Sequence, residues 1–432
     1  MSRFSRRRFV QSALAATVAT PWMADLVLGA PRAPRSKNDR FRIGAIGVGG
    51  RGTVIMRHAM RFGDVVAVCD VDRNHAERAR QVAGGKAEVY EDYRKLLERK
   101  DIDFVTIGTP DHWHTAPCIE ALRAGKDVYC EKPLTLTVEE GQKLCRVVKE
   151  TGRVFQVGTQ QRSEMGLRFL RAVATVRSGQ LGKIRRILVQ LPLSTKEGGP
   201  FPPQPVPKHL NWDFWLGQAP KVPYCPQRCH FTFRWWYEYS GGIMTDWGAH
   251  HMDIVQWALD VEHGGPVWID GSRTKMPNIP GGYNTPKYPV VDMLYPGDVK
   301  VEVRGGNEGI LIEGTRGRIY VNRGRITGRP IEQQDADAQL KDRIMELALK
   351  LYRGSRPGSH MGNFVEAVRQ RSTPVSDVVS QHRSVSACHL ANISCRLQRK
   401  LQWDAAKERF VGDEEANAML SRKQREPYVI PS

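Results

Sequence analysis

The feature that most restricts this chain is a cluster of glycines at the end of a short apolar run. Residues 41–47 read as a strand, Gly47-Val48-Gly49-Gly50-Arg51-Gly52 follows, and residues 51–62 carry helical spacing. A strand turning through G-x-G-x-x-G into a helix lets the backbone approach a pyrophosphate, whose charge suits the helix N-terminus. Many glycine turns match that spacing, so its surroundings decide. Residues 65–69 are a β-branched run ending in Asp70, 18 residues beyond Gly52, where a carboxylate can grip a ribose 2′-hydroxyl. Helical text at 75–82 and 93–98 precedes strand 104–107, helix 115–124, strand 128–130, helix 138–150 and strand 154–157. This alternation predicts an α/β Rossmann fold, a doubly wound parallel sheet. Its expected cofactor contacts are Gly47, Val48, Gly49, Gly50, Arg51, Gly52 and Asp70. Asp70 repels a 2′-phosphate and favours NAD; Arg73, three residues on, would favour NADP, and both remain open.

The pattern changes near residue 162. A helix to about residue 176 leads to strand 184–191, then to a Pro-rich, aromatic stretch at 200–239. Strand-like runs at 268–274, 290–294, 299–303, 309–313 and 318–321 lie close enough for a large, mostly antiparallel sheet, and helices resume at 361–371 and 382–397. A chain of 432 residues is too long for one small core. The reading is a leader and linker over 1–39, an NAD(P)-binding Rossmann domain over 40–160, and an α+β substrate and oligomerisation domain over 161–432. The last helices are expected to pack back on the first domain.

Three further clusters carry chemistry. Thr109-Pro110-Asp111-His112-Trp113-His114 and Glu131-Lys132-Pro133 each follow a Rossmann strand, on the carboxyl edge where such sheets bind ligands. Far downstream, Gly241-Gly242-Ile243-Met244-Thr245-Asp246-Trp247-Gly248-Ala249-His250-His251-Met252-Asp253 puts Asp246 and His250 at i, i+4 on one helical face. In order, these motifs resemble the marks of the glucose–fructose oxidoreductase/inositol dehydrogenase (Gfo/Idh/MocA) family: the glycine fingerprint, T-P-x-x-x-H, E-K-P and G-G-x-x-x-D-x-G-x-H-x-x-D. The resemblance covers roughly residue 40 to the end. It implies a nicotinamide enzyme oxidising or reducing a carbinol of a sugar, glycoside or cyclitol, with Lys132, Asp246 and His250 lining the substrate pocket.

Residue chemistry agrees with those roles. Removing a carbinol hydride leaves a hydroxyl proton to transfer, which calls for a base. His250 suits this, oriented or made more basic by Asp246 one turn away, while Lys132 can hydrogen-bond the same oxygen. Which of Lys132 and His250 takes the proton stays open. Thr109, Pro110, His112, His114, Glu131, Lys132 and Gln160 are expected near the cofactor. Trp113, Arg162, Trp212, Trp236 and Tyr237 are softer candidates for a sugar surface, with core packing the competing explanation. Asp246, His250, His251 and Asp253 could suggest a metal, but their companions are a dinucleotide turn and a lysine, so no metal is expected. Cys225 and Cys229 could pair, or join His230 on an ion, although a lone C-x₃-C lacks zinc spacing.

The formal net charge of +19 first suggests nucleic acid, yet residues 1–40 contribute +6 of it, and no later basic run is interleaved with aromatics. No nucleic-acid partner is expected. Ser5-Arg6-Arg7-Arg8-Phe9-Val10-Gln11 and the apolar stretch after it resemble a twin-arginine (Tat) leader. That implies the twin-arginine export machinery as a partner and a periplasmic location, or membrane association if the leader stays uncleaved. Free NAD(P)H is scarce outside the cytoplasm, so a tightly bound cofactor is expected, returned to its starting state at each turnover. The chemistry would then couple two sugars, or oxidise a carbinol transiently for glycoside cleavage or epimerisation. By resemblance the chain forms a dimer or tetramer. The competing class is a non-catalytic dinucleotide-binding protein, against which the set Lys132, Asp246 and His250 argues.

Overall fold

The computed structural model describes residues 40–192, 197–354 and 357–432, and the leader lies outside them. The first half builds β1 (Phe41–Ile46), α1 (Gly50–Ala59), β2 (Gly63–Cys69), α2 (Arg73–Val82), β3 (Glu88–Tyr90) and α3 (Tyr93–Leu97). Then come β4 (Phe104–Ile107), α4 (Thr115–Arg123), β5 (Asp127–Cys130), α5 (Val138–Thr151) and β6 (Phe155–Val157). The strands form a six-stranded sheet in the order β3-β2-β1-β4-β5-β6, every neighbouring pair parallel. That order reverses direction beside β1, the crevice where doubly wound sheets bind dinucleotides. β4, β5 and β6 are buried along their whole length, as strands covered on both faces must be. β3 escaped the sequence reading because three residues, none fully buried, carry too little periodicity.

The second half begins with α6 (Arg168–Arg177), β7 (Ile184–Leu191), α7 (Trp212–Leu216) and α8 (Ile243–Leu259). It continues through β8 (Trp268–Asp270), β9 (Val291–Tyr295), β10 (Val299–Gly305), β11 (Gly309–Gly314), β12 (Gly317–Val321) and β13 (Ile326–Thr327). Helices α9 (Arg329–Ala336), α10 (Ala338–Tyr352), α11 (His360–Gln370) and α12 (Val378–Leu397) follow, then β14 (Lys400–Asp404), β15 (Arg409–Phe410) and α13 (Glu414–Ala418). Nine strands pair in the order β13-β12-β11-β7-β10-β9-β8-β14-β15, antiparallel except for β7 with β10. Burial alternates along β7, β9 and β10, so one face packs on the core and the other carries half-buried charges such as Arg186, bonded to Glu302 and Glu313. The fold class is thus the expected Rossmann sheet followed by an α+β domain.

Two late helices touch the first sheet's layers. α11 sets Met361, Phe364 and Val365 into one core with Phe41, Ile43 and Phe104. α12 is buried nearly all round and packs on both α5 and α8, which fixes α8 relative to the edge of the parallel sheet.

Candidate active site

Gly47 has φ +70°, and a side chain on it would strike the Thr109 backbone. A Cβ on Gly52 would lie 1.7 Å from the Gly47 carbonyl, whereas one on Gly50 meets none of the described residues within 4 Å. Two glycines therefore close the turn and the third leaves open space above the N-terminus of α1. Gly49 caps that helix without a side-chain hydrogen bond, so its first amides are available to an anion. At the end of β2, Asp70 accepts from the backbone amides of Val48 (2.9 Å) and Asp72 (2.9 Å), which aims it at the same crevice. The turn, the uncapped helix end and the carboxylate fit a dinucleotide.

A cavity of about 390 Å³ runs along this edge. Gly47, Gly49, Gly50, Arg51, Asp70, Thr109, Pro110, Trp113, Glu131 and Lys132 line it from the first sheet, with Trp215, His230, Arg234 and Asp246 opposite. A smaller cavity of about 220 Å³ is lined by Gln160, Glu164, Met165, Trp247, His250 and Arg323. Arg51, Glu131, Lys132 and Asp246 belong to both. Lys132 donates to the Asp246 carboxylate at 2.5 Å and to its carbonyl oxygen at 2.9 Å. Burial pushes the Asp246 carboxyl up, but Lys132 and Arg234 outweigh it and hold it below the usual range. Glu131 accepts from Arg51 (2.9 Å) and Gln160 (2.9 Å), so both side chains act through that carboxylate.

His250 is buried, and its Nδ1 has no hydrogen-bond partner among the described residues. Burial, then the charges of Lys132 and Arg323, press its pKa well below the ordinary value. The imidazole is neutral at pH 7, so one ring nitrogen has a lone pair that can accept a proton, although its charged form is disfavoured by burial. The expected help from Asp246 is absent: that carboxylate is committed to Lys132 and lies 3.6 Å from Arg234, and Lys132 makes His250 less basic rather than more. Helical spacing put Asp246 and His250 on one face, but the nearer cation won the carboxylate.

Several expected contacts lie elsewhere. Val48, Gly52, Arg73, His112 and His114 do not line either cavity. Arg73 is exposed, and His75 stands beside Asp70 instead, its Nδ1 3.6 Å from the carboxylate. His112 bonds the Trp215 carbonyl at 2.9 Å, and burial drives its pKa to about 3. His114 bridges the carbonyls of Pro133 (2.6 Å) and Thr109 (3.0 Å), tying the Lys132 turn to the Thr109 turn. Burial opposes its charge, but Cys130, Asp111 and the Pro133 carbonyl raise it to about 9. Both histidines position loops. Arg162 is sealed in the core against Asp253 and Glu262. Trp212 stacks on Trp215 at 4.8 Å, Trp236 packs on Tyr283, and Tyr237 is buried beside Asn392, so Arg162, Trp212, Trp236 and Tyr237 line neither cavity. Trp113 alone of the softer group reaches a cavity, and there it hydrogen-bonds the Phe214 and Trp215 carbonyls.

The sequence reading missed Arg323, in the turn after β12, whose guanidinium lies 4.1 Å over the Trp247 ring. Nothing local marks that arginine; only the sheet brings its turn to α8. All eight cysteines are free thiols, Cys225 and Cys229 among them.

A Rossmann sheet with a glycine turn, an acid at the end of its second strand and a lysine–aspartate pair shared by two cavities defines the scaffold of a two-domain NAD-binding oxidoreductase. Residues 41–159 match the oxidoreductase family model for the NAD-binding Rossmann fold, and residues 196–430 match that for the family's C-terminal alpha/beta domain. The chain belongs to the Gfo/Idh/MocA oxidoreductase family. It is 31% identical over 147 residues to inositol 2-dehydrogenase of Salmonella typhimurium, covering 33% of this chain and 43% of that protein. It is 32% identical over 213 residues to a glycosyl hydrolase family 109 protein of Shewanella baltica, covering 43% and 45%. The match thus spans less than half the length of these curated relatives. The WlbA dehydrogenase of Bordetella pertussis, solved with NADH and UDP-GlcNAcA, shares the fold at 16% identity and a TM-score of 0.61 over 85% of this chain and 99% of that one.

Proposed function

We propose that the chain oxidises or reduces a carbinol of a sugar, glycoside or cyclitol, with NAD held along the larger cavity and the carbinol in the smaller one. The observation that carries this is the Lys132–Asp246 pair on the wall common to both cavities, with the neutral His250 lining the second. Gly47, Gly49, Gly50 and the α1 amides would hold the pyrophosphate, and Asp70 the ribose. When bound, the nicotinamide supplies the acceptor for hydride. Lys132, kept in place by Asp246, hydrogen-bonds the carbinol oxygen and stabilises its developing charge, while His250 accepts the hydroxyl proton. Asp70 lining the cavity, with Arg73 outside it, supports NAD over NADP. The test is to identify the cofactor that copurifies, then follow nicotinamide absorbance while sugars are added singly and in pairs. A protein that binds NADH but shows no absorbance change with any sugar or cyclitol would refute the reading.

A second reading is a redox-neutral cycle, in which transient oxidation acidifies a neighbouring C–H for glycoside cleavage or epimerisation. The similarity to glycosyl hydrolase family 109 proteins favours it, as does the twin-arginine pattern at Arg6-Arg7, which supports export with a tightly held cofactor to the periplasm or its membrane. Released aglycone with no net change in nicotinamide absorbance would distinguish it. The charged, half-buried face of the nine-stranded sheet supports a dimer or tetramer, which sedimentation of the purified chain would test.

A further inference from the structure

At the far end of the larger cavity a second group of ligating side chains converges. Asp72 caps α2 through Oδ1, which accepts from the Asn74 amide at 2.9 Å. Its other oxygen faces imidazoles from the second half of the chain: His230 Nε2 lies 3.1 Å away and His209 Nε2 3.6 Å away. His75, from the first turn of α2, completes the group, and the ligand atoms of Asp72, His75 and His230 lie within 4.8 Å of one another. The His75 and His230 rings are 4.5 Å apart between centroids.

Three features make this more than a hydrogen-bonded corner. The residues come from separate segments, and residues 209–211 are pinned to 71–73 by the bonds Arg73 N–H to His209 carbonyl (2.9 Å) and Asn211 N–H to Val71 carbonyl (3.0 Å). His230 adopts φ +51°, a left-handed backbone unusual for a β-carbon residue, and the turn it makes carries its ring onto Asp72. His75 Nδ1 lies 3.6 Å from the Asp70 carboxylate, which places a second acid behind the imidazole that meets Asp72 and His230.

We propose that Asp72, His75 and His230 hold a divalent ion of the zinc type, with His209 in reach as a fourth ligand. Two imidazoles and a carboxylate are a zinc donor set, and tetrahedral bonds of about 2.0–2.1 Å ask ligand atoms now within 4.8 Å of one another to draw closer around the ion. The half-exposed His230, 42% accessible, leaves an entry path for the ion. Binding displaces a proton from any charged imidazole and joins the ribose edge of the first sheet to the 209–230 segment of the second half. The set differs from the Cys225, Cys229 and His230 grouping that spacing alone suggests, because neither buried thiol belongs to the converging ligand group among the described residues.

The test uses the untagged full chain, stripped with chelator and titrated with Co²⁺, whose visible bands report a tetrahedral site, and then with Zn²⁺ by elemental analysis. One equivalent is expected in the wild type, with a rise in Tm. His230→Ala and His75→Ala should each weaken binding by about 100-fold or more and abolish the rise, whereas Cys225→Ser should bind as the wild type does. Melting in chelator shows whether a variant has folded, and the stripped wild type answers independently of every variant. No Co²⁺ bound by the wild type, equal binding by a folded His230→Ala, or loss on Cys225→Ser would overturn the proposal. None of these readouts involves a nucleotide or a sugar, so its failure leaves the proposed oxidoreductase reading untouched.

Discussion

Lys132–Asp246 and Arg162–Asp253 are built alike. Each joins a residue just past a strand of the parallel sheet, β5 or β6, to an aspartate of α8, and the two aspartates are seven residues apart, about two helical turns along one face. Their surroundings differ. Lys132 and Asp246 side chains keep 16% and 19% of their surface and border both cavities, so a substrate oxygen can compete for the ammonium. Arg162 and Asp253 keep 1% and 0%. Arg162 also donates to Glu262 and to the Val375 carbonyl, and Asp253 accepts from Gln381 and Ser384, which leaves nothing for a ligand. The same ion-pair chemistry keeps free surface at the cavity wall and almost none two turns deeper.

That contrast breaks most sharply on activity. Lys132→Ala or His250→Ala should lower turnover by about 10²–10⁴-fold on any sugar that supports it, with the unfolding midpoint in urea little changed. Asp253→Ala should do the reverse: about 3–5 kcal/mol of stability lost by leaving the Arg162 guanidinium without its main partner, with normal turnover per folded molecule. If the first variants unfold and the second is merely slow, the assignment is inverted.

The sealed histidines sharpen the comparison through pH. Burial holds His112 and His251 at about 3 and His360 at about 4, against 6.5 unfolded. The unfolded chain therefore binds more protons below pH 6.5, and stability should fall as pH drops from 6.5 towards 4, by about 1.4 kcal/mol per pH unit for each such group. His114, raised to about 9, works in the opposite sense: its contribution is complete below 6.5 and is lost as pH rises through 9. Urea titrations at stepped pH should show both limbs, and His360→Gln should flatten the acid one by about one proton. His250, also depressed, should put the acid limb of kcat/KM below pH 6.5.

The smallest effect comes from the glycines. Gly50→Ala, with open space around its Cβ, should stabilise α1 by about 0.5–1 kcal/mol while weakening NADH binding, read by fluorescence titration. Unchanged NADH affinity would remove the pyrophosphate from that turn.

Much of the first half was legible because its signals are local. The glycine turn, Asp70 and strands such as 104–107 and 128–130 follow from periodicity and from residues that terminate strands. In the second half, Asp246 and Asp253 sit in one motif and Arg162 beside Gln160, and no spacing rule separates a cavity wall from a core. The aromatic group at 212–237 misled for the same reason: tryptophans suit a sugar face or a core equally, and packing took Trp212 and Trp236 inward.

By itself, then, the sequence determined the doubly wound sheet, the dinucleotide turn and the residue types of the site. These depend on backbone conformation and short-range hydrogen bonding within a few residues. Only the tertiary structure decided that Asp246 serves Lys132 rather than His250, that Arg162 is sealed, and that Arg323, His75 and His230 face cavities. Those outcomes turn on which charges meet across long stretches of chain, 91 residues for Arg162 and Asp253 and 114 for Lys132 and Asp246, and on how much water each keeps, and neither distance nor desolvation is written in local spacing.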